Sequence, residues 1–342
     1  MERRLARARC AKQDHAPHLL RKRNVVGVGL GYKTTGGRTT DELSVVVSVT
    51  RKMPTSALSS KNLVPSTVEG VKTDVVETGV LRALPAKTDV RGPRDRWRPK
   101  TPPGVSIGHY LVTAGTFGCL VHNKKRELFI LSNNHVLANS NRYQAWDPIL
   151  QPGTADGGGP QDRIAVLAEA VDLVFESEPS DCQWADFTAR LLNSVARAVG
   201  SFHALSAVKQ TGGTNRVDAA IARPFQPQAV THEILGIGAP EGVGAAHLGT
   251  RVQKSGRTTG VTEGVIAQVD ATVRIDYFGV KALFEDQLIA NSMSEGGDSG
   301  SAVLDMRRRL VGLLFAGSPV TTILNPIGAV LSALDVQPVL GP

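Results

Sequence analysis

The amino-acid sequence predicts a mainly β protein built from many short strands. Runs rich in Val, Ile and Leu alternate along most of the chain with turns that contain glycine, asparagine or charged residues. The 342 residues include 35 glycines and 19 prolines but only 5% aromatic residues, a composition that favours short strands joined by tight turns. Helical spacing is confined to residues 180–205 and to the C-terminal segment 327–336. At this length we expect two domains with substantial cores.

Positive charge is concentrated near the N-terminus. The formal net charge is +8, and residues 1–23 and 91–100 hold dense sets of Lys and Arg. We expect residues 1–23 to form a solvated basic tail, with a short amphipathic helix and an anionic partner as the alternatives. No aromatic residues are interleaved with these charges to stack on bases, which argues against nucleic acid. The sequence favours neither a nucleic-acid nor a membrane partner.

Cysteine usage and hydropathy predict the compartment. Cys10, Cys119 and Cys182 are far apart and form no CxxC pair, so we expect no disulfide framework. No apolar segment follows the charged N-terminus as a secretory signal would require, and no stretch approaches the roughly 18 apolar residues of a membrane-spanning helix. These features predict a cytoplasmic protein.

The region before residue 89 resembles a small module of its own. Strands are expected at Val25–Tyr32, Leu43–Val49 and Val71–Glu77, which indicates a β-rich or α+β module over residues 24–88. In the first strand glycine occurs at every second position and a strand follows, whereas a dinucleotide-binding loop requires a helix there. Residues 89–103 are rich in Arg, Pro and Gly and predict a linker.

Beyond the linker, short strands continue to the C-terminus. A helical insertion is expected over 180–205, because apolar residues recur there at helical spacing, and we expect that stripe to be a packing face. The strands predicted before and after it are Leu111–Val121, Glu127–Leu131, Asp162–Ala170 with Val171–Phe175, Gly249–Lys254, Val261–Val269, Ala271–Phe278, Leu283–Ile289 and Leu310–Gly317.

The segment 294–303, Ser-Glu-Gly-Gly-Asp-Ser-Gly-Ser-Ala-Val, has the pattern of a serine-nucleophile turn. Its glycines permit a sharp bend just before an apolar strand, which would expose the hydroxyl of Ser299. The backbone amides of Gly297 and Ser299 could then stabilise an oxyanion. An ordinary Gly-Asp-Ser-Gly hairpin turn is the alternative.

Two residues upstream could form a base and its acid. His135 follows the strand Glu127–Leu131 directly, at a position that can present its imidazole into a cleft. Asp218 lies within the small apolar run Val217–Ala222, and a buried carboxylate requires a partner. Asp172 has a similar context and is the competing acid.

These blocks together resemble the chymotrypsin/trypsin-fold serine proteases. The matching motifs are Ser-Asn-Asn-His-Val-Leu-Ala at 132–138, Val-Asp-Ala-Ala at 217–220 and Gly-Asp-Ser-Gly-Ser at 297–301. The Gly-Arg-Thr-Thr-Gly turn at 256–260 and the N-terminal Val-Gly block look most like a bacterial intracellular branch related to the plant narrow-leaf proteases. The resemblance implies a chymotrypsin-like double β-barrel, with two six-stranded barrels, over residues 104–340, followed by a C-terminal helix. Barrel one would span about 104–230 and barrel two about 231–340.

The resemblance also implies roles for the matched residues. Ser299 would be the nucleophile, His135 the general base and then acid, and Asp218 the group that orients the imidazole. The amides of Gly297 and Ser299 would form the oxyanion hole. Asp298 would order the turn, without a chemical role. Such chemistry needs no metal or cofactor, and no metal-ligand spacing occurs in the sequence.

Departures from the family pattern change the expected specificity. Met293 stands six residues before the serine, where a trypsin places an acid, so a preference for Lys or Arg is not expected. Phe315 and Gly317 instead suggest a small or medium apolar specificity pocket beside Met293. Cleavage after Arg21-Lys22-Arg23 could release a new N-terminus, as in activated digestive proteases, but it lies too far ahead of His135 for that template.

The sequence therefore predicts a serine endopeptidase that acts on protein or peptide substrates. We expect its activity to be gated, by self-cleavage within 81–103 or by an activating protein partner, since an uncontrolled cytoplasmic protease would be hazardous. The alternative is a catalytically silent protease-fold module that binds other proteins.

Overall fold

The computed structural model describes residues 2–36, 38–81, 92–198, 200–201, 203 and 205–341. Its N-terminal part combines one helix with four strands. Strands β1 and β2 form a long antiparallel hairpin, β2 pairs in parallel with β4, and β3 pairs with β4. The bounds are α1 Glu2–Leu20, β1 Val25–Thr35, β2 Arg38–Val49, β3 Thr67–Val68 and β4 Val71–Glu77.

The first sheet closes into a ring. Its strand order is β7-β8-β13-β10-β9-β5-β6, and β6 continues into β7 after two residues, so that the two count as one bent strand of a six-stranded barrel. The short strand β21 pairs with β7 from outside. The bounds are β5 Ser106–His109, β6 Gly115–Thr116, β7 Cys119–His122, β8 Leu128–Ser132, α2 Asn134–Leu137, β9 Pro148–Leu150, β10 Arg163–Ala170, β11 Ser177–Pro179, α3 Gln183–Ala198, β12 Val208–Gln210 and β13 Ala220–Pro224.

The second sheet also contains a six-stranded ring. The order β15-β18-β19-β20-β17-β16 is closed by pairing between β15 and β16. The predicted fold class, mainly β with two six-stranded barrels and a C-terminal helix, is confirmed by this strand order. The bounds are β14 Gly242–Val243, β15 Arg251–Gly256, β16 Gly260–Tyr277, β17 Val280–Asn291, β18 Ala302–Asp305, β19 Arg309–Ser318, β20 Thr321–Pro326, α4 Ile327–Ala333 and β21 Gln337–Pro338.

The N-terminal strands continue the sheet of barrel two. Strand β16 is 18 residues long, and its first part pairs with β15 while its later part pairs with β1. The predicted strands Val261–Val269 and Ala271–Phe278 are therefore one continuous strand. The β1–β2–β4–β3 unit thus extends barrel two through shared backbone hydrogen bonds.

The expected basic tail is a helix that packs on these strands. Helix α1 buries Ala8, Ala11 and Leu19 against the apolar face of β1 and β2, including Val28 and Leu30. The tail prediction was wrong because the buried stripe is made largely of small alanines, whose weak hydrophobic pattern is hidden among arginines and lysines. The arginines Arg3, Arg4, Arg7 and Arg9 lie on the exposed side of the same helix, whereas Lys12 is buried.

The expected linker is partly bound to barrel one. Arg96 forms two hydrogen bonds with the carboxylate of Asp162, and the amide of Trp97 donates to the side chain of Gln151. Thr101 forms a bridge with Val230. Residues 92–103 are therefore fixed on the barrel surface, while residues 89–91 lie outside the described part of the chain.

The helical insertion forms, but its apolar stripe has a different role from the one expected. Helix α3 lies between the two strands of the short β11–β12 ribbon, and Trp184, Phe187 and Leu191 along it are 80%, 60% and 54% exposed. The predicted packing face is therefore open to solvent within the described structure. The preceding segment 171–175, expected as strand, is irregular.

Candidate active site

His135 and Asp218 are brought together by two neighbouring strands of barrel one. His135 lies in the single turn α2 directly after β8, and Asp218 precedes β13, which pairs with β8 through Ala220 and Ser132. Nδ1 of His135 lies 2.6 Å from Oδ2 of Asp218, and the His135 amide donates to Oδ1 at 3.2 Å. The structure thus brings together the strand-end histidine and the buried acid that the sequence singled out, and their catalytic roles stay a prediction.

Further hydrogen bonds fix the backbone of Asp218. Its carbonyl accepts from the side chain of Asn133 at 2.7 Å, and its amide donates to the side chain of Asn325 at 3.0 Å. The Asp218 side chain is fully buried, so these contacts hold a charged group that has no access to water. The competing acid, Asp172, is exposed and accepts a hydrogen bond from Tyr143.

A third donor to this carboxylate comes from barrel two. The hydroxyl of Tyr277, at the end of β16, donates to Oδ2 of Asp218 at 2.6 Å. Burial raises the pKa of Tyr277 well above its usual value, and the neighbouring Asp218 charge raises it further. The sequence analysis missed this residue, because 59 residues separate it from Asp218 and no local motif marks it.

Ser299 lies in the turn that enters β18, held against barrel one. Its carbonyl accepts from the Thr116 amide at 2.8 Å, and Thr116 Oγ1 donates to the Gly297 carbonyl at 2.9 Å. Gly300 has a φ of 94°, and a Cβ there would lie 2.4 Å from the Thr116 carbonyl oxygen, so that only glycine fits. The turn therefore bends as its glycines predicted, beside the strand that leads to His135.

A hydrogen bond between Ser299 and His135 is not formed in this conformation. Ser299 is 1% exposed, and its hydroxyl lies 3.4 Å from the Phe315 carbonyl. Nε2 of His135 is buried and has no hydrogen-bond partner within the described part of the chain. The structure thus places the serine turn near the His135–Asp218 pair, with the hydroxyl turned toward a main-chain oxygen.

The two amides predicted for an oxyanion hole are available as donors. Among the described residues, neither the Gly297 nor the Ser299 amide donates a hydrogen bond, whereas the Asp298 amide between them donates to the Glu295 carbonyl. Gly297 has a φ of 98°, and a Cβ there would lie 2.7 Å from Nη1 of Arg257. A glycine at this position lets the loop pass close to the guanidinium.

Asp298 is the structural centre of the turn. Its fully buried carboxylate lies 3.1 Å from Nζ of Lys254, which is also fully buried. It accepts hydrogen bonds from the amides of Thr258, Thr259 and Glu295 at 2.9–3.1 Å, and one from Thr259 Oγ1 at 2.6 Å. Burial lowers the pKa of Lys254, and the charge of Asp298 opposes that effect.

A second buried ion pair joins the two barrels beside this turn. The guanidinium of Arg257 is fully buried and lies 2.5 Å from both carboxylate oxygens of Asp156, which belongs to barrel one. Asp156 also accepts from the Ser106 hydroxyl at 2.6 Å. The Gly-Arg-Thr-Thr-Gly turn therefore supports the serine turn through both its arginine and its threonines.

The predicted specificity residues lie in separate surroundings. Met293 is 4% exposed and packs in the core of barrel two, where its Sδ comes close to Gly264. Phe315 is fully buried beside Phe284, with ring centroids 4.8 Å apart. Gly317 lies in β19, paired with β20. Met293 thus serves the barrel core, and the apolar pocket stays a prediction.

Neither a metal site nor a membrane span is found in the described part of the chain. No three His, Cys, Asp or Glu side chains there are placed to share a metal ion. None of the described helices is both long enough and apolar enough to cross a membrane.

Comparison with known proteins gives structural likeness only. No family model and no curated protein matches the chain. Protease A of Thermobifida fusca is similar in structure at 18% identity and a TM-score of 0.45, over 70% of this chain and 98% of that one. A Cellulomonas bogoriensis chymotrypsin is similar at 16% identity and a TM-score of 0.42, over 70% of this chain and 98% of that one. A Nocardiopsis protease is similar at 15% identity and a TM-score of 0.44, over 69% of this chain and 97% of that one. These three solved structures are bacterial serine proteases. Because their TM-scores are below 0.5, the assignment of two barrels depends on the strand order described above.

Proposed function

We propose that this protein is a serine endopeptidase that hydrolyses peptide bonds of protein or peptide substrates. The observation that carries the proposal is the buried 2.6 Å contact between His135 Nδ1 and Asp218 Oδ2, next to a serine turn with two free amides. A histidine whose Nδ1–H is held by a carboxylate leaves Nε2 as a base. His135 would accept the Ser299 proton as the hydroxyl oxygen attacks the peptide carbonyl.

The remaining steps follow from the same groups. The amides of Gly297 and Ser299 would stabilise the negative oxygen of the tetrahedral intermediate. His135 would then pass its proton to the leaving amine, which leaves an acyl group on Ser299. Water, deprotonated by the same imidazole, would release the acyl group and restore the serine.

We propose that catalysis requires a rearrangement of the closed conformation. The Ser299 hydroxyl must leave the Phe315 carbonyl and reach Nε2 of His135. Leu173 and Leu81, which are 3% and 1% exposed, pack in the same apolar cluster as Phe315 and Tyr277, and Phe175 packs against that cluster. Movement of the 171–175 segment or of the chain near Leu81 would therefore open this region.

Self-cleavage within 81–103, or binding of an activating protein, remains our proposed trigger. Because residues 92–103 are fixed on barrel one, a cut in this segment is best sought in residues 82–91, which lie outside the described residues. The released-N-terminus template gains no support, because the Asp298 carboxylate already pairs with Lys254.

A fluorophosphonate probe tests the proposed nucleophile. We expect the probe to label the wild-type protein at Ser299, and Ser299→Ala to abolish both labelling and peptide cleavage while the circular dichroism spectrum is unchanged. A proteome-derived peptide library, digested by the wild-type and Ser299→Ala proteins side by side, measures turnover and cleavage preference. Equal cleavage by the two proteins would reject the assignment.

A catalytically silent binding module is the second candidate function. The orientation of the Ser299 hydroxyl toward Phe315, away from Nε2 of His135, is the observation that favours it. This alternative predicts no labelling of Ser299 even after limited proteolysis of the 82–91 segment or addition of a cell extract.

A further inference from the structure

The Tyr277 hydroxyl occupies a specific place in the candidate site. It donates to Oδ2 of Asp218 at 2.6 Å, and that same oxygen lies 2.6 Å from Nδ1 of His135. The Tyr277 ring stands edge-on to the imidazole at 5.9 Å between centroids, and the residue is 4% exposed. One buried carboxylate oxygen therefore receives a hydrogen bond from each barrel.

This second donor restricts the carboxylate in a way that His135 alone does not. A carboxylate with a single partner can rotate about χ2, which changes the direction of its lone pairs. With the Tyr277 hydroxyl on one side and the imidazole on the other, Oδ2 stays in line with Nδ1, while Oδ1 accepts the His135 amide. The tautomer that leaves Nε2 unprotonated is thereby favoured.

The hairpin that carries Tyr277 contacts the N-terminal part of the chain. Tyr277 ends β16, and the carbonyl of Leu81 accepts a hydrogen bond from the neighbouring Asp276 amide at 3.3 Å. Leu81 is 1% exposed and packs in the same apolar cluster as Tyr277. On the other side the ring stacks with Phe284 and meets Phe175 edge-on.

The glycines of β1 explain how this strand packs closely against β16. Gly27 and Gly29 face β16, where Gly27 pairs with Val273. A Cβ at Gly29 would lie 3.1 Å from Cβ of Ala271 and 2.5 Å from Oε1 of Gln268, and one at Gly27 would lie 3.1 Å from Cγ1 of Val273. The alternating glycines therefore allow β1 to approach the strand that ends in Tyr277.

We propose that Tyr277 is a positioning residue for the His135–Asp218 pair, and that the N-terminal module holds it in place through β1 and Leu81. The positioning of the His135–Asp218 pair by Tyr277 applies whether or not the chain cleaves peptides. The effect of that positioning on catalysis rests on the proposed function. The module would thus be part of the apparatus that sets the geometry of the base.

Tyr277→Phe tests the positioning role, since it keeps the ring and removes the hydroxyl. The Nδ1–H proton of His135 is followed by NMR in an otherwise unchanged Ser299→Ala chain, where turnover is not needed. We expect this resonance to move upfield or broaden in the Tyr277→Phe chain and to stay in place with Tyr32→Phe, whose hydroxyl bonds no described residue. An unshifted resonance would overturn the proposal.

Kinetics supply the second readout where the wild-type protein cleaves peptides. We expect Tyr277→Phe to lower kcat by about 10- to 100-fold and to change KM by less than about threefold, because the base is misplaced while substrate contacts remain. A change in KM alone would contradict the positioning role. If the His135 resonance moves in the Tyr277→Phe chain but the wild-type protein cleaves no peptide, the positioning role of Tyr277 stands and the proposed function fails.

Leu81→Ala tests the contact between the N-terminal module and Tyr277 without removing the Tyr277 hydroxyl. We expect it to perturb the His135 resonance in the direction of Tyr277→Phe. Leu19→Ala should leave the resonance in place, because Leu19 is an equally buried leucine of helix α1 that packs in a different apolar cluster, with Val28 and Leu30 of β1. Equal effects of the two variants would remove the module from the proposal.

The wild-type chain provides a test that no folding defect can obscure. With ¹³Cζ-labelled tyrosine, the Tyr277 resonance should stay that of the un-ionised phenol at pH values above the usual tyrosine pKa of 10.0, because burial and the Asp218 charge raise the pKa of Tyr277. Ionisation of Tyr277 at its usual pKa of 10.0, in protein that is still folded, would show that the buried hydrogen bond to Asp218 is absent.

Discussion

At the scale of single residues, the serine turn is ordered by buried charges that belong to the chain itself. Lys254 neutralises Asp298, and Arg257 reaches across to Asp156 of barrel one. Both ion pairs are almost fully buried, so each charge depends on its partner. The amides of Gly297 and Ser299 are therefore held in position without a newly cleaved N-terminus.

Lys254→Met should destabilise the protein and disorder the serine turn. It leaves the Asp298 carboxylate buried with neutral donors only, and removing one partner of a buried pair costs about 3–5 kcal/mol. Urea unfolding measures the loss, and fluorophosphonate labelling of Ser299 should fall in parallel. The double variant Lys254→Met/Asp298→Asn, which removes both charges, should recover part of the stability. An unchanged unfolding midpoint in the single variant would show that the ion pair is not required.

The sequence could predict some residues of the site and not others. His135 and Ser299 stand at the end and the start of strands within short motifs, and Asp218 is conspicuous as a carboxylate in an apolar run. Tyr277 and Lys254 carry no such signal, because they act on residues 59 and 44 positions away along the chain. Their partners are set by how β15 and β16 pack, which local sequence does not encode.

At the scale of elements, helix α1 shows that a basic segment can serve the fold of its own chain. Arg9 lies 2.5 Å from Asp270 in the middle of β16, and Arg7 donates to the Glu69 carbonyl at 2.9 Å. Lys12 is 4% exposed on the helix face that packs inward. The positive charge near the N-terminus thus binds acidic and carbonyl groups of the strands below it.

Lys12→Met tests the cost of burying this amine. Burial lowers the pKa of Lys12, and the carboxylates of Asp286, Asp270 and Glu285 oppose that effect in part. Between the lowered folded pKa and the usual value of 10.5, the unfolded chain binds more protons than the folded one, so wild-type stability rises with pH there. At pH 7 we expect Lys12→Met to be as stable as wild type or more so, with a difference that shrinks as the pH rises toward 10.5.

The control for this variant is Lys125→Met, at an exposed turn. It should follow the wild-type unfolding free energy across the same pH range. A Lys12→Met protein that loses stability at pH 7, by an amount that shrinks above pH 10.5, would show that the Lys12 charge contributes favourably to docking of the helix.

At the scale of the whole molecule, the N-terminal module and barrel two share one sheet. Strand β1 pairs with β16, which also closes the barrel, so the two parts exchange backbone hydrogen bonds as well as apolar contacts. A sheet that runs through both parts predicts that they unfold together.

Leu30→Ala should therefore destabilise both parts at once. Leu30 is fully buried on β1, and loss of a buried leucine costs about 2–5 kcal/mol. Hydrogen exchange should show faster opening of amides in β1 and in β16, including residues 269–273, by the same factor. Leu191→Ala on the exposed face of α3 should change stability by no more than about 0.5 kcal/mol. Faster exchange limited to β1 would mean that the module opens separately.

The sequence by itself determined the strand-rich architecture, the order of the three predicted catalytic residues and the position of the helical insertion. These depend on local periodicity and on short motifs that bend the backbone. Only the tertiary structure decided that α1 is packed on the sheet, that the α3 stripe is exposed, that Met293 belongs to the barrel core, and that Tyr277 bonds to Asp218. Each of these depends on which surfaces meet, and strand pairing between distant segments sets those contacts.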